Sequence, residues 1–139
     1  MADVTQTATA VHAHAGATVT MKLVGVAVVP GDWLYLDATD SKHKLAIGTS
    51  LAPAQVVGMS LGYGPADGNY VPVCTAGDVD VGGTLAVGGG PAILSSAAAG
   101  KMTITLADLT TGEFGSVLGT QVAADKLTIA IVNAAIASA

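Results

Sequence analysis

Two histidines, His12 and His14, are the residues of this chain whose spacing most resembles a metal site. On a β-strand, residues two apart face the same side, so both imidazoles would be able to hold one ion. A third ligand would have to come from elsewhere, from His43 or from an aspartate. Because structural zinc sites normally close with four ligands, we favour two solvated imidazoles and predict no metal site.

A second stretch, Ser95-Ser96-Ala97-Ala98-Ala99-Gly100-Lys101-Met102, is a near miss to a phosphate-binding loop. Such a loop needs glycine at its first position and a Ser or Thr hydroxyl after the lysine. Ser95 and Met102 occupy those positions here, and no helical pattern follows. We therefore reject nucleotide binding and predict no cofactor.

The carboxylates offer no catalytic pair. Asp37, Asp40 and Asp108 lie in or near turns, where they would serve as acid–base groups or calcium ligands, but no Asp-x-Asp-x-Asp-Gly loop frames them. Glu113 is the single glutamate, so the chain has no glutamate pair for glycoside hydrolysis. No serine stands in a Gly-x-Ser-x-Gly motif. We predict no catalytic residues and a protein that is not an enzyme.

Trp33 and Tyr35 alternate along one predicted strand and so share a face. They would form either a stacking platform for sugars or an anchor in the core or at a subunit interface, and we favour the anchor because the chain has only five aromatic residues. Cys74 is the single cysteine, which excludes an intramolecular disulfide, and we interpret it as a small buried apolar residue.

The composition narrows the classes of partner. Of 139 residues, 51% are apolar and 11% are charged, the net charge is -5, and arginine is absent. Nucleic-acid binding requires a basic surface, so we expect no nucleic-acid partner. No uncharged apolar stretch approaches the roughly 20 residues of a membrane helix, and the start lacks the pattern of a signal peptide. We expect synthesis in the cytoplasm and no membrane partner.

Short alternating apolar runs separated by Gly, Pro and Asp turns recur along the chain, a pattern typical of β-strands. The clearest runs are residues 33–36, 70–74, 78–81, 102–106 and 127–131. We find no long stripe with helical periodicity. The fold class is therefore predicted to be all-β, a small β-barrel or sandwich of short antiparallel strands.

A weak internal repeat organises these runs. Residues 31–36, 44–45, 55–58 and 69–73 match residues 90–94, 101–102, 116–119 and 126–131 in order and type, at a spacing near sixty residues. Two such modules would pack as a pseudo-symmetric barrel. Coincidence within a β sequence of simple composition is the alternative.

The N-terminal segment is the part of the chain that we predict to be different. Residues 1–20 are predicted to be an extended N-terminal arm, and residues 21–139 the β-domain. The segment is either a flexible tail or an arm that adds as a strand to a neighbour's sheet. We expect its removal over residues 2–16 to leave the fold intact but to weaken binding to the protein partner. The candidate contacts with a protein partner or with other subunits are Val4, Thr5, Thr7, Thr9, Val11, His12, His14, Trp33 and Tyr35.

A family resemblance rests on the order of turns and apolar strands. Its elements are Pro30-Gly31-Asp32-Trp33-Leu34-Tyr35-Leu36, Lys44-Leu45-Ala46, Val57-Gly58, Gly77-Asp78-Val79-Asp80-Val81, Ile93-Leu94-Ser95, Gly100-Lys101-Met102, Val117-Leu118-Gly119-Thr120-Gln121-Val122 and Leu127-Thr128-Ile129. Over residues 20–133 this order resembles the capsid decoration, or cement, proteins of tailed bacteriophages.

The resemblance implies a small all-β protein on the outer surface of the virion head, often a homotrimer. Its partners would be the major capsid protein and copies of itself, and its role would be to reinforce contacts between capsid subunits. The family has no functional residues that transfer position by position. The alternative function is a head-fibre or tail-fibre module that binds host surface glycans through an aromatic patch.

Overall fold

A computed structural model describes residues 2–86 and 89–138. Met1 and Ala139, the outer bounds of the predicted arm and domain, lie outside the described residues, as do Val87 and Gly88. Strands make up 42% of the chain, and the described part contains no helix of seven or more residues. The prediction of an all-β fold of antiparallel strands is confirmed, in the form of a curled sheet that makes a half-barrel.

The described residues form ten strands, interrupted by 3-10 turns at Ala8–Ala10, Ala52–Ala54 and Leu106–Asp108. The strands are β1 (Val11–Ala13), β2 (Thr18–Leu23), β3 (Trp33–Asp37), β4 (Lys42–Leu45), β5 (Val56–Ser60), β6 (Tyr70–Val81), β7 (Pro91–Leu94), β8 (Met102–Thr103), β9 (Val117–Gln121) and β10 (Lys126–Val132).

The long strand β6 organises the sheet. The order is β4-β3-β5-β6-β10-β9-β7-β8, and both β1 and β2 also pair with β6. Residues 70–76 of β6 pair with β2 and β5, whereas residues 77–81 pair with β1 and β10. One strand therefore joins two sets of neighbours, one at each of its ends.

The predicted repeat is present in the strand order. Strands β3 to β6 are arranged β4-β3-β5-β6, and strands β7 to β10 are arranged β8-β7-β9-β10, which is the same order four strands later. The last strands of the two modules, β6 and β10, pair with each other. Glycine stands at the equivalent positions 58 and 119, where a Cβ would overlap a carbonyl oxygen of the neighbouring strand. The repeat is therefore structural and not a coincidence of composition.

Two clusters of buried side chains hold the sheet. The main cluster includes Trp33, Met59 and Cys74 on one face of the sheet. The second cluster lies on the opposite face, where Val24 and Val28 pack over Leu34, Val71 and Val73.

Both faces of β3 are covered, since Trp33 and Leu34 are each 0% exposed. The alternation of β3 does not separate a buried side from a solvent side, because the segment that follows β2 covers the second face.

The N-terminal segment differs from the predicted arm. Val4 and Val11 are buried in the main cluster, at 9% and 8% exposure. The Val4 amide donates to the Met102 carbonyl at 2.8 Å, and the Thr7 amide donates to the Gly82 carbonyl at 2.6 Å. Strand β1 then pairs with β6 of its own chain. These two valines are large enough to enter a core, a feature that the sequence interpretation overlooked in a run of small residues.

None of the described residues belongs to a helix that is long and apolar enough to cross a membrane.

Candidate functional site

The main candidate site is an uncovered apolar face beside the N-terminal half of β6. In the antiparallel pair β2–β6, Val19 lies opposite Cys74 and Met21 opposite Pro72, so their side chains share one face. That row continues inward, because Cys74 also lies opposite Met59 of β5. At the inner end of this row, Met59 and Cys74 are buried in the main cluster. At its outer end, Val19 and Met21 lie outside that cluster.

The outer end of this row presents apolar side chains to solvent. We call it the open face; it consists of Val19, Met21, Leu23, Leu61, Tyr70 and Pro72. Val19, Met21 and Tyr70 are 43%, 59% and 65% exposed. Single exposed apolar residues are ordinary, but an adjacent group of them on one face of a sheet is typical of a binding surface.

The structure places the predicted contact residues in three different environments. Thr5, Thr7 and Thr9 are exposed along the N-terminal segment. Val4, Val11 and Trp33 are buried, and Tyr35 is half-buried against the main cluster. His12 and His14 converge on an aspartate, as described below.

The sugar-stacking alternative for Trp33 and Tyr35 is wrong, because Trp33 has no exposed surface. The anchor interpretation of Trp33 is correct in its core form. Its indole lies in the main cluster, and its backbone amide donates to the Gly100 carbonyl at 3.0 Å, which joins the two modules. The glycan-binding alternative therefore loses the aromatic patch on which it depended.

A second candidate site is the cluster of His12, His14 and Asp80, which we call the histidine–aspartate cluster. The Nε2 atom of His12 lies 2.6 Å from Oδ2 of Asp80, and Nε2 of His14 lies 2.8 Å from Oδ1. Of the described residues, these three form the sole group of three or more His, Cys, Asp or Glu side chains whose ligand atoms converge. Their ligand atoms all lie within 4.8 Å of one another.

The aspartates at the β3–β4 turn have structural partners. Lys44 Nζ lies 2.6 Å from Asp37 and 3.1 Å from Asp40. The hydrogen bond from Lys44, with further bonds from Thr39, lowers the pKa of Asp37 to about 2. A carboxylate held so firmly in its charged form is a poor general base, and its role here is to close the turn.

Two other reactive side chains are buried and separate from the histidine–aspartate cluster. Burial raises the pKa of the Cys74 thiol, which agrees with its prediction as a buried apolar residue and disfavours the reactive thiolate. Burial also lowers the pKa of His43, whose Nδ1 lies 3.1 Å from the Leu23 carbonyl oxygen. The third ligand sought for His12 and His14 is therefore an aspartate and not His43.

Sequence reasoning missed strand β2 and with it the open face. The signal was present, since Val19, Met21 and Leu23 alternate with Thr18, Thr20 and Lys22. It was absorbed into the predicted arm, which ended at residue 20. The third ligand, Asp80, lies in the alternating run over residues 78–81, but the strand that pairs with it is fixed by tertiary register.

Comparison with known protein families finds no family model that matches this chain, and comparison with curated proteins finds no match either.

Proposed function

We propose that this chain is a virion structural protein that binds the outer surface of a bacteriophage capsid and cements major capsid protein subunits. The observation that carries the proposal is the open face, an apolar part of the sheet that the chain's own elements leave uncovered. The sequence resemblance to phage decoration proteins gives the kind of assembly. The capsid-bound location and the homotrimeric state are parts of the same proposal.

Adhesion is the activity that the open face suits best. Its members are aliphatic or aromatic, and burial of apolar surface gives roughly 25 cal/mol per Å² removed from water. The face is an open part of the sheet surface, so it fits a broad and shallow contact. In a symmetric shell the same modest contact is made by many copies, so no single one has to be strong.

The outer surface at the C-terminal end of β6 is charged, whereas the open face is apolar, and this contrast supports the assignment. There the outward residues are Asp78 and Asp80, which pair with Lys126 and the two histidines. Charged and hydrogen-bonding side chains are suited to water. The C-terminal part of β6 therefore presents ionic groups to solvent, whereas the part beside β2 presents an apolar surface.

Co-sedimentation with expanded, undecorated shells of the cognate phage tests the proposal. Met21→Lys puts a charge in the middle of the open face. We expect it to weaken the affinity for shells by about tenfold or more, because an unpaired charge at a contact costs over 1.4 kcal/mol. The unfolding midpoint of the variant should stay near that of the wild type, since Met21 is 59% exposed.

Leu36→Lys is the matched control. Leu36 is 50% exposed and lies on the opposite face of the sheet, next along β3 from the buried Leu34 on that side. We expect this variant to bind shells like the wild type. Equal loss of binding in both variants would show a general effect of charge, and undiminished binding of Met21→Lys would contradict the role of the open face.

A further inference from the structure

We propose that His12, His14 and Asp80 form a binding site for a divalent transition-metal ion, with zinc as the ion that the site takes. The sequence had offered two histidines without a third ligand. The strand register supplies the third, because β1 pairs with β6 so that His12 lies directly opposite Asp80. The inference is independent of capsid binding.

The backbone holds the three ligands in place. The His14 amide donates to the Asp78 carbonyl at 2.9 Å, which continues the β1–β6 pairing past the end of β1. His12 and His14 are therefore on one face, with Asp80 opposite the first and diagonal to the second. Such neighbours lie within reach of one another without any rearrangement of the main chain.

The donor set selects the class of ion. Two imidazole nitrogens and one carboxylate oxygen are ligands that zinc accepts, whereas calcium and magnesium prefer sites made of oxygen alone. With three protein ligands, at least one coordination position remains for water. The side chains of His12 and His14 are 63% and 40% exposed, so an ion has access from solvent.

The distances require a small expansion. In a tetrahedral site with bonds near 2.0–2.1 Å, ligand atoms lie about 3.3 Å apart. The two nitrogen–oxygen distances of 2.6 and 2.8 Å are hydrogen-bond lengths to different oxygens of Asp80. For one of these oxygens to bind the ion with both imidazoles, the carboxylate would rotate and the ligand atoms in contact would move apart by roughly half an ångström. Rotation of two partly exposed imidazoles provides this movement.

The charged residues next to Asp80 do not compete with the two histidines for its carboxylate. Lys126 lies opposite Asp80 in the β6–β10 pair, but its Nζ is bound to Asp78 at 3.1 Å. Asp78 also accepts a hydrogen bond from Thr128 at 2.6 Å. Asp78 is thus engaged by its own partners, and Asp80 is directed to the histidines.

A bound ion would fasten the N-terminal segment to the sheet. Two of its ligands lie on or just after β1, and the third lies on β6, near the centre of the strand order. Zinc would therefore stabilise the folded chain by mass action and protect residues 2–14 from local opening.

Calorimetric titration of the untagged full chain with zinc chloride tests the site. We expect one ion per chain. His14→Asn and Asp80→Asn should each weaken binding by about tenfold or more, since loss of even an outer-shell partner typically costs 10–100-fold. Asp78→Asn is the matched control, a carboxylate on the same face two residues away, and it should weaken binding much less.

A measurement on the wild-type chain avoids dependence on how the variants fold. In nitrogen-15 spectra of the imidazoles, zinc should shift the Nε2 resonances of His12 and His14 and leave His43 unchanged. Absence of saturable binding at millimolar zinc would overturn the proposal. It would also be overturned by equal shifts at all three histidines or by equal weakening in Asp78→Asn.

Discussion

The two halves of strand β6 belong to one continuous strand but differ in how far their apolar side chains are buried. In residues 77–81, Val79 and Val81 are 0% exposed and lie in the main cluster, to which the N-terminal segment contributes Val4 and Val11. In residues 70–76, the equivalent face carries Tyr70 and Pro72, and β2 adds Met21 beside them without a cover. The difference shows that exposure here depends on which segment the topology places over each half.

A register shift connects the halves. The β2–β6 pairing slips between Thr18 and Val19, opposite Ala76 and Cys74. Before the slip, the even-numbered Cys74 faces the main cluster, and after it the odd-numbered Val79 and Val81 do so. A bulge that inserts one residue reverses the alternation. Cys74 on one side of the bulge and the two valines on the other therefore face the same main cluster.

The largest expected effect follows from removing the cover of the C-terminal half. Deletion of residues 2–13 takes away Val4, Val11 and strand β1. Full burial of a valine is worth about 1.5–3 kcal/mol, so we expect the free energy of unfolding to fall by about 3–6 kcal/mol. Urea denaturation followed by circular dichroism measures this. An unchanged midpoint would support the free arm that the sequence suggested.

Two single substitutions to alanine compare the stability contributed by the two halves. Val79→Ala leaves a cavity in the main cluster and should cost about 2 kcal/mol. Met21→Ala removes a larger side chain from the open face and should change stability by less than about 0.5 kcal/mol. Chemical denaturation of both variants tests the contrast. Similar losses would mean that the open face is packed in solution.

The smallest expected effect concerns the ionic outer surface of the C-terminal half. The hydrogen bond from Thr128, and then the pair with Lys126, lowers the pKa of Asp78 below its ordinary 3.8. A lowered pKa in the folded state contributes stability that is present above 3.8 and is lost as the pH falls through the folded value. In Thr128→Val, the main cause of that shift is absent.

We therefore expect Thr128→Val to be less stable than the wild type at neutral pH, with a difference that shrinks as the pH falls below 3.8. Thermal unfolding between pH 2.5 and 7 measures it, with Thr120→Val on the paired strand β9 as the control. A difference that is constant over this range would attribute the effect to packing alone.

The sequence predicted the features that arise from local patterns. Alternation identified the strands around Trp33, Tyr70, Val79 and Leu127, and the spacing of similar runs revealed the two modules. Asp78 and Asp80 form ion pairs on the outer surface, which agrees with the alternating run over residues 78–81. Each of these depends on residues close together in the chain.

What the sequence did not reveal depends on distant contacts. Val4 and Val11 look like ordinary members of a polar segment until β6 and Met102 are placed beside them. The burial of Leu34 by Val24 and Val28 on the second face of the sheet is likewise a tertiary contact. The convergence of His12 and His14 on Asp80 requires a pairing across more than sixty residues, which alternation alone does not specify.

An electron cryo-microscopy map of shells incubated with this chain tests the central claim most directly. The account predicts added density on the outer surface, with Met21 and Tyr70 buried against another protein chain. Density in which the open face points into solvent would contradict the assignment of that face. Shells that bind no copies at saturating concentration would contradict the proposed function itself.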